Sequence, residues 1–396
     1  MEEFKNIMGD ILLTVQKKSK LRLAGKYYEY PLQTREVLLK FPLTLSIPAM
    51  ISALKTMFSK KSSDSYESYL QSRFGNVIYK LVFQPYASKV WGDPKKLSPD
   101  VAKSRVAGAP SIFALIKNMI FGTKGKELSA KTFYYPKHGV SEMSETLANK
   151  MKKMKGKILL NSYVESIQVQ NSKITSIHVH TPQGKKMLKV EAVVSTLPLS
   201  TLLSILWPQD KQALAISKEL PHRDLLLLYL FVDKERILKE NWLFFPEYSF
   251  SFNRLSEQKG FSPYMGPSHK TVLCVEVTKS EVLSLTDTEV YSLVLNDLEH
   301  VNVLSSKEVS KFIIKRIPKV YQIYDIQYKE RIENICKPLD KIQNIYSIGR
   351  QGAFTYVGTM DCIDMSFKTA EFICSNKSRN EWIPLRRTFH DYEVID

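Results

Sequence analysis

A glycine-rich loop lies between an apolar strand and an apolar helix near the C-terminal end of the chain. It reads SIGRQGAFTYVGTMD, from Ser347 to Asp361, and the apolar run Cys362–Cys374 follows it. Glycines allow close backbone approach, an arginine offers a forked donor to a phosphate, and a helix N-terminus offers free N–H groups. The pattern predicts a strand–loop–helix unit that suits an anion, and a plain connection is the alternative.

The rest of the chain predicts a mixture of helices and strands. Residues 1–18 predict an amphipathic helix, and LRLAGKYYEYPLQ predicts a hairpin around a Gly-Lys turn. From Thr34 to Phe121, apolar residues recur at helical spacing, interrupted by prolines. The segment ILLNSYVESIQVQ…EAVVSTLP predicts antiparallel strands that lead to an apolar strand, and Leu225–Val232 and Thr271–Val277 predict two more. The fold class is therefore α/β plus α+β.

Charge limits the classes of partner. The chain has 396 residues, 44% of them hydrophobic, and a net charge of +17. That charge suits nucleic acid, an anionic membrane face or an anionic small molecule, or it reflects a lysine-rich surface. The lysines are scattered, and the densest group, Lys150–Lys157, is typical of the last turn of a helix. No nucleic-acid-binding motif accompanies the charge, so we expect no nucleic acid.

The cysteines and the apolar runs predict a cytoplasmic protein without a metal or a membrane span. The four cysteines form no CxxC pair and no Cys/His cluster with metal-ligand spacing. The chain shows no signal peptide, and its unpaired cysteines are typical of a reducing compartment. Its longest apolar run, Leu225–Val232, has the length of a strand and is too short to cross a membrane.

Five segments in register resemble the FAD-dependent amine oxidase superfamily. Within it they are most similar to the branch that holds UDP-galactopyranose mutases and protoporphyrinogen-oxidase-like flavoproteins. The resemblance extends from about Gly25 to Ile373 and implies a Rossmann-like FAD lobe of the GR2 type, a mixed-sheet substrate lobe and a helical insertion. The segments that carry it are FGNVIYKLVFQPYASKVWGDPKKLS, FYYPKHGVSEM, VVSTLPLSTL, FNRLSEQKGFSP and IGRQGAFTYVGTMD.

The resemblance implies which residues meet FAD. Gly349, Arg350 and Gly352 match the loop that follows the flavin, and Asp361 with its helix matches the element at the isoalloxazine end. The other matching residues are Val164, in the strand that holds the adenine, and Thr196, Leu197 and Pro198, in the segment beside the dinucleotide.

The resemblance also implies a substrate side. Tyr86, Lys89, Trp91 and Arg254 match positions that line it, and Tyr356 matches a tyrosine that faces the substrate diphosphate in the mutase branch. An anionic substrate, including a sugar nucleotide, would suit the basic chain. The alternative is structural: Tyr86 and Trp91 can pack the helical lobe, and Arg254 can pair with Glu257. No catalytic residue is assigned.

One expected motif is absent from the sequence. Members of this superfamily carry a strand, G-x-G-x-x-G and a helix that seat the ADP half of FAD, and no such spacing of glycines occurs in the 396 residues. Two explanations remain: a truncated or mis-started gene, or a protein that has lost the unit that seats the ADP half of FAD. Either predicts weak FAD binding by this chain and exposed apolar faces, with reduced solubility or a partner chain that supplies the unit as the consequence.

Three functions therefore remain open. The first is an FAD-dependent oxidoreductase of the amine oxidase family, truncated at its N-terminus and inactive alone; the second is a UDP-galactopyranose mutase-like isomerase; the third is a non-catalytic remnant that binds a partner. We predict six segments: an entry helix and hairpin (1–33), a helical substrate-side lobe (34–132), FAD-lobe helix, strands and ribbon (133–204), a mixed-sheet substrate lobe (205–340), a C-terminal FAD-lobe strand–loop–helix (341–376) and a tail (377–396).

Overall fold

The computed structural model describes residues 2–30, 42–56, 63–106, 131–375 and 377–392. Two compact units form. The first contains Met1–Asn149, His222–Tyr321 and Ile395–Asp396, and the second contains Lys150–Pro221 and Gln322–Val394. The mixture of sheets and helices confirms the predicted fold class, while the six-segment division stays a prediction. Parts of the predicted helical lobe, residues 34–41, 57–62 and 107–130, lie outside the described residues.

Helices and strands follow one another along both units. The strands are β1 (Leu12–Gln16), β2 (Ser19–Leu23), β3 (Lys26–Glu29), β4 (Thr132–Pro136), β5 (Tyr163–Gln170), β6 (Lys173–Thr181), β7 (Gly184–Lys189), β8 (Val193–Ser195), β9 (Leu206–Trp207), β10 (His222–Val232), β11 (Trp242–Phe244), β12 (Arg254–Glu257), β13 (Thr271–Val277), β14 (Val309–Gln322) and β15 (Ile345–Ser347). The helices are α1 (Glu2–Met8), α2 (Leu43–Thr56), α3 (Tyr66–Ile78), α4 (Gln84–Val90), α5 (Pro99–Val106), α6 (Ser141–Lys153), α7 (Leu199–Ile205), α8 (Lys211–Lys218), α9 (Gln258–Phe261), α10 (Ser280–Leu283), α11 (Asp287–His300), α12 (Tyr328–Asp340), α13 (Gly349–Gly352), α14 (Thr359–Cys374) and α15 (Arg379–Thr388).

A seven-stranded sheet organises the first unit, in the order β14-β10-β13-β12-β11-β2-β3. Side chains alternate between its faces, because successive residues of a strand point to opposite sides. Leu226, Leu228 and Leu230 of β10 are fully buried and pack in one core with Val290 and Val294 of α11. The alternate residues of the same strands occupy the opposite face, which bears the polar groups described below.

The N-terminal helix is shorter than the sequence predicts. Residues 1–18 were expected to form one helix, but α1 ends at Met8 and Gly9 takes a left-handed backbone, with a φ of +60°. The following residues form β1, whose register places Val15 opposite Phe133 of β4. The apolar residues of this segment therefore belong to a strand that pairs with a distant strand, and a search for helical periodicity does not detect such a pairing.

Two local predictions in the first unit are confirmed. The strands β2 and β3 form the expected antiparallel hairpin, and Ala24 and Gly25 at its tip both have positive φ, as a tight hairpin turn requires. The helices α2 and α3 fall in the predicted helical lobe. At Gly75, with a φ of +78°, an added Cβ would lie 2.8 Å from the backbone of Ser52 in α2, so glycine permits this helix contact.

The second unit contains two separate sheets. The predicted antiparallel ribbon is confirmed as β5, β6 and β7, and β9 extends it by pairing parallel with β5. The other sheet is the parallel pair of β8 and β15, in which Val194 lies opposite Tyr346. Tyr346 and Ile348 pack with Met365 of α14 and Trp382 of α15, so the helical core forms around β15.

Candidate cofactor and substrate sites

The loops that follow β8 and β15 emerge side by side. The two strands are parallel, with Ser347 opposite Ser195, so their carboxyl ends lie at the same edge of the sheet. Ligands of open α/β sheets bind in the crevice outside the carboxyl ends of the strands. Thr196 and Pro198 lie in the first loop and Gly349 in the second, so three of the predicted cofactor residues meet at this edge.

The glycines of the second loop let the two loops touch. Gly349 has a φ of +76°, and an added Cβ would lie 3.7 Å from Cγ2 of Thr196. At Gly352, an added Cβ would lie 2.9 Å from the Ser195 carbonyl oxygen and 3.0 Å from Oγ of Ser347. The close approach that the glycine pattern predicted is therefore, in part, an approach of this loop to β8 itself.

Arg350 lies along its own loop. Its Nη1 donates a hydrogen bond to the carbonyl oxygen of Val357 at 2.8 Å, and its guanidinium lies 4.3 Å from the centre of the Tyr356 ring. The Arg350 carbonyl accepts from Nε2 of Gln322 at 3.0 Å. The loop itself therefore fixes the direction of the Arg350 guanidinium, and the role of Arg350 toward an anion stays a prediction.

Two residues that the sequence did not single out hold this loop. Besides Gln322, the hydroxyl oxygen of Tyr324 accepts the Tyr356 N–H at 2.6 Å. Tyr324 also stacks on Tyr328, with ring centroids 4.1 Å apart. Gln322 is the last residue of β14 and Tyr324 lies two residues beyond it, 28 and 32 residues before the loop residues that they contact, and no local motif marks them.

Asp361 lies in the first turn of α14. Its Oδ2 accepts the backbone N–H of Gly358 at 2.8 Å, so the carboxylate satisfies a donor at the helix N-terminus. Val164 lies elsewhere in the second unit, half-buried in β5 and opposite Val179. The roles of Asp361 and Val164 toward a cofactor stay predictions.

In the first unit, Tyr86 lies near both Trp91 and Arg254. The rings of Tyr86 and Trp91 meet edge to face at 5.7 Å, and Trp91 is buried against Tyr66 at 6.1 Å. The Tyr86 phenol is among the groups that act electrostatically on the Arg254 charge. Ring contacts of this kind are expected if the aromatic side chains serve to pack the first unit. The substrate roles of Tyr86, Trp91 and Arg254 stay predictions.

Lys89 points into the core of the first unit, with 1% of its surface exposed. Its ammonium donates to the backbone carbonyls of Phe245 at 2.8 Å, Glu247 at 2.9 Å and Phe252 at 2.6 Å. Burial, followed by the charge of Lys279, lowers the pKa of Lys89 to about 7. All three N–H donors are thus used within the protein, and a role of Lys89 toward substrate stays a prediction.

The polar face of the seven-stranded sheet is centred on an ion pair. Nε and Nη2 of Arg254 donate to Oε1 of Glu276 at 2.8 and 2.6 Å, so the predicted alternative partner, Glu257, is replaced by the cross-strand neighbour. Burial alone would lower the pKa of Arg254, but the Glu276 carboxylate outweighs it and raises that pKa. Burial and Glu276 raise the pKa of the neighbouring Cys274 thiol to about 12, which keeps it protonated.

Metal chemistry and membrane spanning find no support in the described ranges. Those residues contain no group of three or more His, Cys, Asp or Glu side chains that could hold a metal ion. No helix within the same ranges has the length and apolar character needed to cross a membrane.

A parallel strand pair with adjacent loops at its carboxyl edge has the geometry at which open α/β sheets bind their ligands. The chain belongs to the flavin containing amine oxidoreductase family, whose model matches residues 35–316. None of the curated proteins is similar enough in sequence to match it.

Solved structures share the fold at low sequence identity. A structure of reduced UDP-galactopyranose mutase has a TM-score of 0.75 at 19% identity, over 89% of this chain and 77% of that chain. A protein from Exiguobacterium sp. 255-15, assigned as a protoporphyrinogen oxidase, has a TM-score of 0.65 at 14% identity, over 88% and 79%. Cyclohexylamine oxidase from Brevibacterium oxydans IH-35A has a TM-score of 0.56 at 13% identity, over 89% and 79%. These matches show the predicted fold, and the family model confirms the predicted family.

Proposed function

We propose that this chain is an FAD-dependent oxidoreductase in which the second unit contacts the flavin at the loops after β8 and β15. The observation that carries the proposal is the parallel register of these strands, which brings Thr196 beside Gly349 at one edge. Membership of the flavin containing amine oxidoreductase family supports the same cofactor. FAD would supply the redox chemistry, and the chain would position it and the substrate.

The residues at this edge fit part of the cofactor. Gly349 and Gly352 have no side chains that would keep a ligand away from the backbone, and the direction of the Arg350 guanidinium is fixed by its hydrogen bond to Val357. The helix α14 has sixteen residues, and its N-terminus favours negative charge. Since the 396 residues contain no G-x-G-x-x-G, we propose that the pyrophosphate rests on Arg350 and backbone groups alone. The affinity of this chain for FAD should then be low compared with proteins that carry that motif.

A titration of the purified chain with FAD tests the proposal, followed by flavin fluorescence and the visible spectrum. We expect saturable binding that is about tenfold weaker in Arg350→Gln. Arg316→Gln is the matched control, because Arg316 is a partly exposed arginine of the first unit paired with Asp287. Absence of saturation up to about 1 mM FAD, or equal binding by the two variants, would contradict the proposal and favour a non-catalytic interaction protein.

A sugar-nucleotide isomerase is the second candidate. The 0.75 TM-score with UDP-galactopyranose mutase favours it, and the Arg350–Tyr356 pair offers a cation and a phenol to a diphosphate. Two assays separate the candidates. The first measures turnover of UDP-galactopyranose in the presence of reduced FAD, and the second measures oxidation of a panel of amines in the presence of oxidised FAD. If UDP-galactopyranose is turned over and no amine is oxidised, the isomerase assignment would replace the oxidoreductase assignment. We also propose a cytoplasmic location, because all four cysteines are free thiols.

A further inference from the structure

A small cavity lies in the second unit, where α12, α15 and the loop after β15 meet. About 10 Å³ of the cavity is accessible to the centre of a water molecule, which is roughly the space that one water occupies. Its lining includes Asp340 of α12, Gly352 of the loop, Arg386 of α15 and His390, which follows α15. Elements that are separate in the chain therefore face one small space.

Three polar atoms of the lining residues have no hydrogen-bond partner in the described part of the chain. They are Oδ1 of Asp340, Nε of Arg386 and Nδ1 of His390, and all three atoms are buried. Arg386 as a whole is only 5% exposed. Since buried polar atoms are almost always hydrogen-bonded to protein or to ordered water, three of them on residues around one cavity indicate a shared partner inside it.

The other polar groups beside the cavity are held by bonds within the protein. Nη2 of Arg386 donates to Oδ2 of Asp340 at 3.1 Å, and Nη1 of Arg379 donates to the Ile345 carbonyl at 2.6 Å. The Ser347 hydroxyl donates to a backbone carbonyl of the following loop at 2.8 Å. These bonds fix the side chains around the cavity, so the shared partner has to reach the three atoms from within it.

The chemistry of the three atoms selects the occupant. Nε of Arg386 can only donate a hydrogen bond, and the Asp340 carboxylate, which is paired with Arg386, can only accept one. Burial, followed by the charge of Arg386, lowers the pKa of His390 to about 4, so its ring is neutral near pH 7 and Nδ1 can act in either sense. A halide has no proton to offer Asp340, and a metal cation has no lone pair to offer Arg386, whereas water supplies both.

We propose that one water molecule is bound in this cavity as an internal ligand of the fold. It accepts from Nε of Arg386, donates to Oδ1 of Asp340 and forms a third hydrogen bond with Nδ1 of His390, and about three such bonds are typical of buried waters. The water thereby links α12 to the C-terminal end of α15. The site consists only of residues of the second unit, so the proposal stands independently of FAD binding.

The site is one residue away from a contact with the glycine-rich loop. The Thr355 hydroxyl of that loop donates to the Phe389 carbonyl at 3.2 Å, and Phe389 directly precedes His390. Val357, whose carbonyl accepts from Arg350, packs in the same core as Phe389. A water that fixes His390 therefore also contributes to the position of this loop.

A crystal structure of the full chain, at a resolution that shows ordered water, tests the proposal, and a bromide soak reports any anion. We expect one density peak within about 2.7–3.2 Å of the three atoms, without anomalous signal from bromide. In His390→Leu a methyl group replaces Nδ1, and we expect the peak to be lost. His390→Asn is the matched control, since its amide oxygen or nitrogen lies one bond beyond Cγ, as Nδ1 does, and the peak should remain.

Four outcomes would overturn the proposal. They are a cavity without density in the unsubstituted chain, an anomalous bromide peak inside it, direct hydrogen bonds among the three atoms that close it, and a peak that persists unchanged in His390→Leu. The density map of the unsubstituted chain distinguishes a water from an anion and from direct contacts even if His390→Leu does not fold.

Discussion

Replacing Lys89 by methionine should destabilise the first unit without altering any surface that meets solvent. Methionine keeps most of the length of the side chain but removes the ammonium that three buried carbonyls share. A hydrogen bond from a charged donor contributes about 1.5–3 kcal/mol, and the burial of the charge offsets part of that sum. The carbonyls left without a donor then dominate, and we expect a loss of about 3–5 kcal/mol in the free energy of unfolding.

Urea denaturation followed by circular dichroism measures this loss. With a slope of about 3 kcal/mol/M, the midpoint should fall by about 1 M or more. Lys95→Met is the matched control, because the Lys95 side chain is exposed, and its free energy of unfolding should remain within about 0.5 kcal/mol of the wild type.

A Lys89→Met midpoint equal to that of the control would refute the reasoning, since three buried carbonyls would then tolerate the loss of their donor. The same variant also addresses the substrate role that the resemblance implies. Full stability combined with a raised KM would identify Lys89 as a substrate ligand, whereas lost stability with an unchanged KM in the folded fraction would identify a structural residue.

Three further outcomes are expected. Gly352→Ala should lower stability by about 1–3 kcal/mol in thermal denaturation, because its Cβ would meet the Ser195 carbonyl, whereas Gly358→Ala meets only ordinary contacts and should be nearly neutral. Burial, then the charge of Arg386, lowers the pKa of His390 to about 4. Because the unfolded chain binds the His390 proton more tightly than the folded chain, the free energy of unfolding should fall by up to about 3 kcal/mol as the pH drops from about 6.5 to 4. Denaturation curves of His390→Asn should show a weaker dependence of stability on pH in this range. Iodoacetamide followed by peptide mapping should label the exposed Cys374 before Cys336, whose pKa burial raises to about 12.

The elements that the sequence predicted correctly are those whose signal is local. The apolar run at Ile345–Ser347, the alternation in β6 and the glycine of the β2–β3 hairpin each carry their own pattern, although the turn is Ala24-Gly25 and not the predicted Gly-Lys. The first eighteen residues show the limit of such patterns, since β1 exists because it pairs with β4, more than a hundred residues later. A local pattern cannot distinguish a strand that a distant partner creates from half of an amphipathic helix.

The candidate site divides in the same way. The position of Gly349 and Gly352 followed from the order of strand, loop and helix, and the structure adds that they contact β8. The burial of Lys89 and its hydrogen bonds could not be predicted from the sequence. Its acceptors lie more than 150 residues away and are backbone atoms, which no side-chain motif marks. The support of the loop by Tyr324 was missed because its hydroxyl accepts a backbone N–H 32 residues further along the chain, a contact that no side-chain motif marks.

The division of the second unit into two chain segments has a consequence for its biosynthesis. The strand β8 leaves the ribosome long before β15, because about 150 residues separate them and the remainder of the first unit lies between. At about 5–20 residues per second, β8 waits roughly 8–30 s for the strand it pairs with. During that interval the backbone N–H and C=O groups of β8 are unpaired on both edges and its valines are exposed, so the nascent chain is the form most prone to non-native strand pairing.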